Sequence, residues 1–297
     1  MARPNPGLGH LWFQALNPLI YSAAVIPVVV GSAAAYHEAP EQFRWGILAW
    51  VLAGEVLLQA WLNITNDIWD AETGVDRDKP TSLVNLTGRP GLLHGVAWSC
   101  LAAGLVCIGV VNQQWPGNTV LWIALAGLGF GYAYQGPPFR LSYLGLGEPM
   151  TFLAFGPLAT LAASYAQLGR WSWPSFWASL LVGCWVTGII FAHHFPQYET
   201  DQAHGKRSPV VRLGPETAGR VFPVVIVPAY LLMPGLLATG ELPWGTALVF
   251  LSLPLAWHLL RVLWTEPTGP AGRGATPLAV ALHGLGGLLL SLGLGWS

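Results

Sequence analysis

The stretch that decides the fold lies at residues 45–78 and reads WGILAWVLAGEVLLQAWLNITNDIWDAETGVDRD. Its first half is almost entirely apolar, and a run of roughly 20 such residues is long enough for a helix to cross a lipid bilayer. Its second half is rich in carboxylates and side-chain amides. The stretch therefore predicts a transmembrane helix that carries a polar cluster at one membrane surface.

The composition of the whole chain agrees with a membrane protein. Of the 297 residues, 9% are charged and 53% are hydrophobic, and the mean hydropathy is +0.50. A soluble domain carries roughly 25% charged residues, so this composition excludes an ordinary soluble fold. The net charge of −1 provides no basic surface for nucleic acid. The three cysteines stand in apolar runs without metal-binding spacing, and we interpret them as packing residues.

Apolar stretches recur along the chain and predict an all-α, polytopic membrane protein with nine transmembrane helices. The stretches lie at about 11–36, 45–66, 91–112, 117–135, 146–168, 173–196, 218–240, 243–264 and 276–296. Short loops connect them, apart from two longer polar segments at 67–90 and 197–217. No composition change marks a domain boundary, so we expect a single transmembrane domain over residues 1–297.

The basic residues predict the orientation in the membrane. With nine spans, two of them, Arg44 and Arg170, fall on one side. The side of the N-terminus carries the rest: Arg3, Arg77, Lys79, Arg89, Arg140, Lys206, Arg207, Arg212, Arg220, Arg261 and Arg273. Since basic loops remain in the cytoplasm, we expect the N-terminus and both polar segments there. The membrane could be a cell inner membrane or a thylakoid membrane.

The first polar segment has helical spacing. Asn63, Asn66, Asp67 and Asp70 follow one another at i, i+3, i+4 and i+7, so a continued helix places them on one face. Gly74 is a natural helix stop. Oxygen donors clustered in this way suit a hard divalent cation such as Mg²⁺, and nearby basic residues suggest a clamp for a polyphosphate. The alternative is a solvated helix end at the membrane surface.

The second polar segment repeats this arrangement at the end of the sixth span. His193, Gln197 and Asp201 recur every four residues, and Pro196 predicts a kink or a local unwinding of the helix. The adjacent His193 and His194 lack the spacing of a zinc site. Either histidine could act as a base for a phenol, or could simply fill a polar gap.

A third group follows the fourth span. It contains Tyr134 and Arg140, and then Glu148 at the start of the fifth span. An acid at that depth requires a partner or a wet cavity, and Arg140 or Lys206 are the candidate partners.

These motifs resemble those of the UbiA superfamily of intramembrane aromatic prenyltransferases. The first signature is matched by Asn63-x2-Asn66-Asp67-x2-Asp70-x3-Gly74-x-Asp76, and the second by the segment that ends Glu199-Thr200-Asp201-x3-Gly205-Lys206. The segment Gly-Leu-Gly-Glu at 145–148 is similar to the corresponding segment of the branch of this family that prenylates 1,4-dihydroxy-2-naphthoate. Residues 82–88 and 193–197 resemble the members of that branch in oxygenic phototrophs. One departure is that Gln197 stands where the second motif usually has its first metal-binding aspartate.

The resemblance implies Mg²⁺-dependent transfer of a phytyl or longer polyprenyl chain from its diphosphate to 1,4-dihydroxy-2-naphthoate, with loss of carbon dioxide. It implies a central cavity that opens to the cytoplasmic side. The implied metal ligands are Asn66, Asp67, Asp70, Asp76, Gln197 and Asp201. The implied diphosphate-binding residues are Asn63, Arg77, Lys79, Arg140, Lys206 and Arg207. The aromatic and prenyl groups would meet Tyr134, Phe195, Tyr198 and Glu148, and the catalytic residues would be Asp67, Asp70, Asp201, His193 and Glu199.

Three kinds of alternative stay open at this point, and one of them is a non-catalytic scaffold. Acids beside broken membrane helices are also typical of transporters, although here they gather at helix ends and not at the midplane. Among enzymes, the acceptor could instead be homogentisate, 4-hydroxybenzoate or a chlorophyll precursor. The sequence predicts neither the length of the donor chain nor the oligomeric state.

Overall fold

The computed structural model describes residues 7–74 and 79–296. Within these ranges the chain is helical and contains no strand, as predicted. The α-helices are α1 (Leu8–Leu16), α2 (Ser22–Glu38), α3 (Trp45–Thr73), α4 (Leu83–Thr87), α5 (Pro90–Asn112), α6 (Thr119–Gln135), α7 (Gly147–Leu153), α8 (Ala159–Leu168), α9 (Trp173–Ala203), α10 (Pro209–Leu213), α11 (Pro215–Val221), α12 (Pro223–Ala238), α13 (Leu253–Thr265), α14 (Pro270–Arg273) and α15 (Ala275–Gly295). Shorter 3-10 turns lie at Pro18–Tyr21, Pro40–Gln42, Leu141–Leu144 and Trp244–Ser252.

Seven helical segments of the described chain are long and apolar enough to cross a membrane. They are Leu8–Glu38, Trp45–Thr73, Pro90–Asn112, Trp173–Ala203, Pro215–Ala238, Trp244–Thr265 and Ala275–Gly295. The predicted number of nine is therefore not confirmed. The other two predicted spans correspond to α6, which has 17 residues, and to the interrupted helix that runs from α7 to α8.

A π-helical turn over Ala154–Leu158 interrupts that helix and carries Pro157 within it. Proline lacks the backbone N–H that an α-helix requires, so the helical hydrogen-bond pattern changes there. A Cβ on the neighbouring Gly156 would lie 2.7 Å from the Gly183 Cα of α9. The two helices therefore touch backbone to backbone at this point, as small residues allow in membrane proteins.

The main core surrounds α9. Leu181, Trp185 and Ile189 of this helix are at most 3% exposed, and they pack in one cluster with residues such as Met233 and Leu282 of the neighbouring helices. Dense packing on several sides fixes the position of α9. The polar residues at its C-terminal end are consequently held on a rigid support.

The ends of α3 and α9 determine how the polar segments enter the site. Helix α3 continues to Thr73 and ends at Gly74, which adopts a positive φ of 82°, as its sequence predicts. Helix α9 is continuous to Ala203 and includes Pro196. The predicted unwinding at Pro196 is wrong: a single proline removes one helical hydrogen bond, and the surrounding core holds the remaining turns in place.

Candidate active site

Helix α3 brings its predicted polar residues to one cavity. Asn63, Asn66, Asp67 and Asp70 all line it, which confirms that they share a helix face. The cavity has a volume of about 1610 Å³. Lys79, at the start of the next described segment, lines it as well.

Helix α9 brings the second polar segment to the same cavity. His193, Gln197, Glu199 and Asp201 line it, together with Lys206 just after the helix. The two segments are more than 100 residues apart in the sequence, and the fold brings both to one cavity. Tyr134, at the end of α6, lines the same cavity.

The α3 cluster offers oxygen donors of the kind that a hard cation prefers. Asp67 Oδ2 accepts a hydrogen bond of 2.5 Å from the Leu83 backbone N–H, and Asp67 Oδ1 lies 3.9 Å from Lys79 Nζ. The buried Asn66 Oδ1 has no hydrogen-bond partner among the described residues. An unsatisfied amide oxygen beside two carboxylates fits a divalent cation.

Tyr143 orients Asp70. This tyrosine lies in the 3-10 turn Leu141–Leu144, and its hydroxyl donates a 3.1 Å hydrogen bond to Asp70 Oδ1. The same hydroxyl is 3.0 Å from Thr73 Oγ1. Burial and the Asp70 carboxylate raise the pKa of Tyr143 to about 12. The phenol is therefore protonated at physiological pH and acts as a donor.

A buried network surrounds Asp201. Asp201 Oδ2 lies 3.2 Å from His194 Nδ1, and Asp201 Oδ1 lies 3.5 Å from Lys206 Nζ. The other ring nitrogen of His194 is 3.3 Å from Glu148 Oε1. Asp201 and His194 are both 2% exposed, and Lys206 is 8% exposed. Burial at this level requires that the charge of Asp201 be matched, and Lys206 provides the match.

Lys206 also connects the two polar segments. Its ammonium group lies 5.9 Å from the centre of the Tyr143 ring, within the range of a cation–π interaction. Tyr143 in turn binds Asp70. A displacement of either helix end would therefore disturb both clusters.

Several predicted site residues lie elsewhere. Phe195 is 4% exposed, stacks on Phe191 in the core and is not among the residues that line the cavity, so its contact with the prenyl group stays a prediction. Tyr198 also packs against the core, and Glu148 contacts His194; neither lines the cavity. Because a helix turns by about 100° per residue, Phe195 and Tyr198 lie on a different face of α9 from the lining residues His193 and Gln197.

Two predicted diphosphate ligands also lie off the cavity wall. Arg140 lies 4.0 Å from Glu72 on the surface, and Arg207 is exposed. The predicted partnership of Glu148 with Arg140 or Lys206 is likewise replaced by its contact with His194. The predicted ligands Asp76 and Arg77 fall outside the described residues.

The sequence analysis missed the roles of Tyr143 and His194. Tyr143 lies in a loop without periodicity, and only its tertiary contact with Asp70 reveals its role. His193 lines the cavity and His194 contacts Asp201, and the sequence alone does not distinguish these two adjacent histidines. The presence of Asp201 seven residues after His194, on the same helix face, is the one signal that pointed to their contact.

The cavity is lined by both polar and apolar side chains. The polar residues of α3 that line it include Asn63, Asn66 and, one turn before Asn63, Gln59. Apolar side chains of α6, the α7–α8 helix and α9 also line it: Phe130, Met150, Phe155, Val186, Ile189 and Ile190. This arrangement accommodates a ligand that has a charged head, a polar ring and a long hydrocarbon tail.

Comparison with known proteins identifies similar chains over nearly the full length. Residues 24–276 match the model of the UbiA prenyltransferase family. The chain is 38% identical to 2-carboxy-1,4-naphthoquinone phytyltransferase of Synechocystis sp., over 98% of this chain and 95% of that protein. It is also 38% identical to the chloroplastic 2-carboxy-1,4-naphthoquinone phytyltransferase of Arabidopsis thaliana, over 96% of this chain and 76% of that one.

A solved structure shares the fold. A UbiA homologue from Archaeoglobus fulgidus bound to DMAPP and Mg²⁺ superposes with a TM-score of 0.63, at 18% sequence identity. The match covers 95% of this chain and 99% of that one. The likeness extends across the whole helical arrangement described above.

Proposed function

The chain belongs to the UbiA prenyltransferase family, and on this premise we propose that it transfers a prenyl chain from its diphosphate to a carboxylated naphthalene ring. The donor is phytyl diphosphate or a longer polyprenyl diphosphate, and the acceptor is 1,4-dihydroxy-2-naphthoate. The names of the two relatives give the oxidised form of this acceptor. The product leads toward phylloquinone or menaquinone. Family membership removes the transporter alternative.

One observation carries the proposal: a single cavity is lined both by a cluster of hard oxygen donors and by apolar side chains. Asn66, Asp67 and Asp70 of α3 line it together with apolar residues of α6 and α9. A prenyl diphosphate likewise has a charged diphosphate group at one end and an apolar hydrocarbon chain at the other. Burying its hydrocarbon chain is favourable by about 0.8 kcal/mol for each CH₂ group.

The divalent cation is proposed to bind Asn66, Asp67 and Asp70. When bound, it would neutralise charge on the diphosphate and so make the leaving group more stable. Gln197 and Asp201 stay proposed ligands from α9. Because Lys206 already neutralises Asp201, we expect their contribution to be smaller than that of the α3 cluster.

The remaining polar residues act on the diphosphate and on the ring. Lys79 and Lys206 line the cavity and would stabilise the negative charge of the departing diphosphate. Tyr134 offers an aromatic face to the allylic cation that remains. The ring carbon that bears the carboxylate then forms the new bond, and its carboxylate leaves as carbon dioxide. His193 and Glu199 line the cavity and are the proposed bases for an acceptor hydroxyl.

The protein is an integral membrane protein, and we propose the following arrangement in the membrane. Helix α6 and the α7–α8 helix complete nine crossings, and the N-terminus and the site face the cytoplasm. With this topology, the cysteine of Pro80→Cys reacts with a membrane-impermeant thiol reagent only when the reagent is added on the cytoplasmic side. The cysteine of Trp171→Cys reacts only when the same reagent is added on the other side. The opposite pattern would contradict the proposed orientation.

Competition among acceptors tests the proposed function. The purified protein in nanodiscs is supplied with phytyl diphosphate, Mg²⁺ and equal amounts of 1,4-dihydroxy-2-naphthoate, homogentisate and 4-hydroxybenzoate. We expect a prenylated naphthoquinol as the main product, with release of one carbon dioxide per turnover. Prenylation of either single-ring acceptor in preference to the naphthoate would refute the assignment of the acceptor.

A further inference from the structure

Both lysines of the sequence lie at the candidate site. The sequence contains two lysines, Lys79 and Lys206, and eleven arginines. Both lysines line the cavity, whereas no arginine does so among the residues that the structure describes. The guanidinium group of arginine is broad and planar, whereas the ammonium group of lysine is a compact point charge. Lys206 is the more enclosed of the two, since 10% of its side chain is exposed against 39% for Lys79.

A turn after α9 fixes Lys206 against Asp201. Gly205 adopts a positive φ of 73°, and the Lys206 backbone N–H donates a 2.9 Å hydrogen bond to the Asp201 carbonyl. The next residue is held as well, because the Arg207 backbone N–H donates to the Tyr143 carbonyl at 2.9 Å. Turns of this kind close the C-terminal end of a helix. Lys206 Nζ is thereby brought to 3.5 Å from Asp201 Oδ1, so the ammonium group is in position before a ligand binds.

These contacts leave Asp201 poorly suited to hold a divalent cation. Its other oxygen, Oδ2, lies 3.2 Å from His194 Nδ1, so both oxygens of this buried carboxylate are engaged. A hard cation would need further carboxylates beside it. Gln197, one turn earlier, is neutral, and Glu199 projects from α9 about 200° away from Asp201 around the helix axis. The α9 cluster therefore does not fit a divalent cation of its own.

The α3 cluster differs in both respects. It brings two carboxylates, Asp67 and Asp70, and the amide of Asn66 to the cavity. Its lysine is Lys79, which lies 3.9 Å from Asp67 Oδ1 with a half-exposed side chain. An exposed ion pair of this kind is weak and is readily replaced. The enclosed contact of Lys206 with Asp201 is costly to break, because it would leave a buried charge without its partner.

On the basis of the proposed function, we propose that the Lys206 ammonium group takes the place of a cation on α9. The diphosphate is then held by one divalent cation on α3 and by one positive charge that belongs to the protein. A charge that is fixed in advance stabilises the departing diphosphate without reorganisation of the site. Asp201 acts as a positioning residue for Lys206. Any contact that Asp201 or Gln197 makes with a cation is with the one that α3 holds.

Counting the bound cations tests this inference without turnover. The purified protein in nanodiscs is dialysed to equilibrium against Mn²⁺ and phytyl diphosphate without an aromatic acceptor, and empty nanodiscs give the background. Metal analysis gives the number of bound ions, and electron paramagnetic resonance detects magnetic coupling between neighbouring ions. We expect one Mn²⁺ per wild-type protein, with no coupling. Asp70→Ala should bind none, whereas Asp201→Asn should still bind one.

Removal of the ammonium group should create a second cation site. In the double variant Gln197→Asp with Lys206→Met, Asp201 gains a neighbouring carboxylate one turn away and loses its cationic partner. We expect the bound Mn²⁺ to rise from one to two per protein, with a coupled spectrum. Gln197→Asp with Lys79→Met is the matched control, because it gains the same carboxylate and loses the other lysine of the cavity. This control should stay at one, and melting temperatures show whether each variant is folded.

The possible failures are distinguishable. Two Mn²⁺ in the wild type overturn the inference and leave the proposed function intact. Loss of the ion in Asp201→Asn but not in Asp70→Ala also overturns it, because the cation would then belong to α9. A second Mn²⁺ in the Lys79→Met control overturns it as well, because the neutral Gln197, and not Lys206, would then exclude the cation. A wild type that binds no Mn²⁺, even with the donor, overturns the proposed cation site together with the inference.

Discussion

Tyr143→Phe is the substitution that most directly tests how the site is organised. It removes the hydroxyl that donates to Asp70 Oδ1 at 3.1 Å and retains the ring that lies 5.9 Å from Lys206. A hydrogen bond to a charged group contributes roughly 1.5–3 kcal/mol. Because Tyr143 is half-buried, we take the lower end of this range. If the bond orients Asp70 for the cation, the affinity for Mg²⁺ falls about tenfold.

The assay measures the cation directly as well as through turnover. Binding of Mn²⁺, as a paramagnetic substitute for Mg²⁺, is followed by electron paramagnetic resonance in the presence of phytyl diphosphate, and turnover is titrated with Mg²⁺. Tyr132→Phe is the matched control, because the Tyr132 hydroxyl donates to the Pro137 carbonyl at 2.7 Å and does not contact an acid of the site. We expect this control to bind the cation as the wild type does.

The pKa of Tyr143 adds a second criterion. A raised pKa of about 12 keeps the donor in place at all lower pH values and removes it only as the pH rises through that value. The ratio of wild-type to Tyr143→Phe affinity should therefore stay constant between about pH 6 and 9. Cation binding in Tyr143→Phe that equals binding in Tyr132→Phe would refute the reasoning.

Three other predictions follow from the same contacts. Asp70→Ala should reduce Mg²⁺-dependent turnover at least about 100-fold while the melting temperature changes little, and near-normal turnover would exclude Asp70 as a ligand. Lys206→Met leaves Asp201 buried without its cation and should cost about 3 kcal/mol of unfolding free energy. The double variant with Asp201→Asn should recover most of that stability but not turnover, and no recovery would contradict the ion pair. Gly156→Ala places a Cβ 2.7 Å from the backbone of α9 and should destabilise by about 1–3 kcal/mol in chemical denaturation; Gly127→Ala, with no atom within 4 Å, should be neutral, and equal losses would count against tight packing there.

Much of the fold and half of the site could be predicted because they depend on local periodicity. The spacing of Asn66, Asp67 and Asp70 depends only on the pitch of a helix, and the helix continues to Gly74 as expected. Long apolar runs are equally local, since each one must satisfy its own backbone in lipid. The number of crossings was harder to predict, because Pro157 changes the hydrogen bonding inside the fifth stretch.

The remainder of the site depends on contacts between distant segments. Tyr143 and Asp70 are 73 residues apart, and His194 is 46 residues from Glu148 in the sequence. No spacing rule links such pairs, because loop geometry and helix packing decide them. The burial of Phe195 in the core depends on such contacts too: the residues that share a helix face are predictable, but the neighbouring helices decide which face meets the cavity.

The measurement that tests the central claim most directly is turnover by the purified, lipid-embedded protein with phytyl diphosphate and 1,4-dihydroxy-2-naphthoate. Parallel reactions contain Mg²⁺ or EDTA, and mass spectrometry identifies the product. We predict a phytylated naphthoquinol that lacks the carboxylate, formed with Mg²⁺ and absent with EDTA. Equal product in both reactions would contradict the assignment of the α3 cluster as a cation site. Absence of any prenylated ring, from a folded protein given phytyl or longer donors, would contradict the proposed reaction itself.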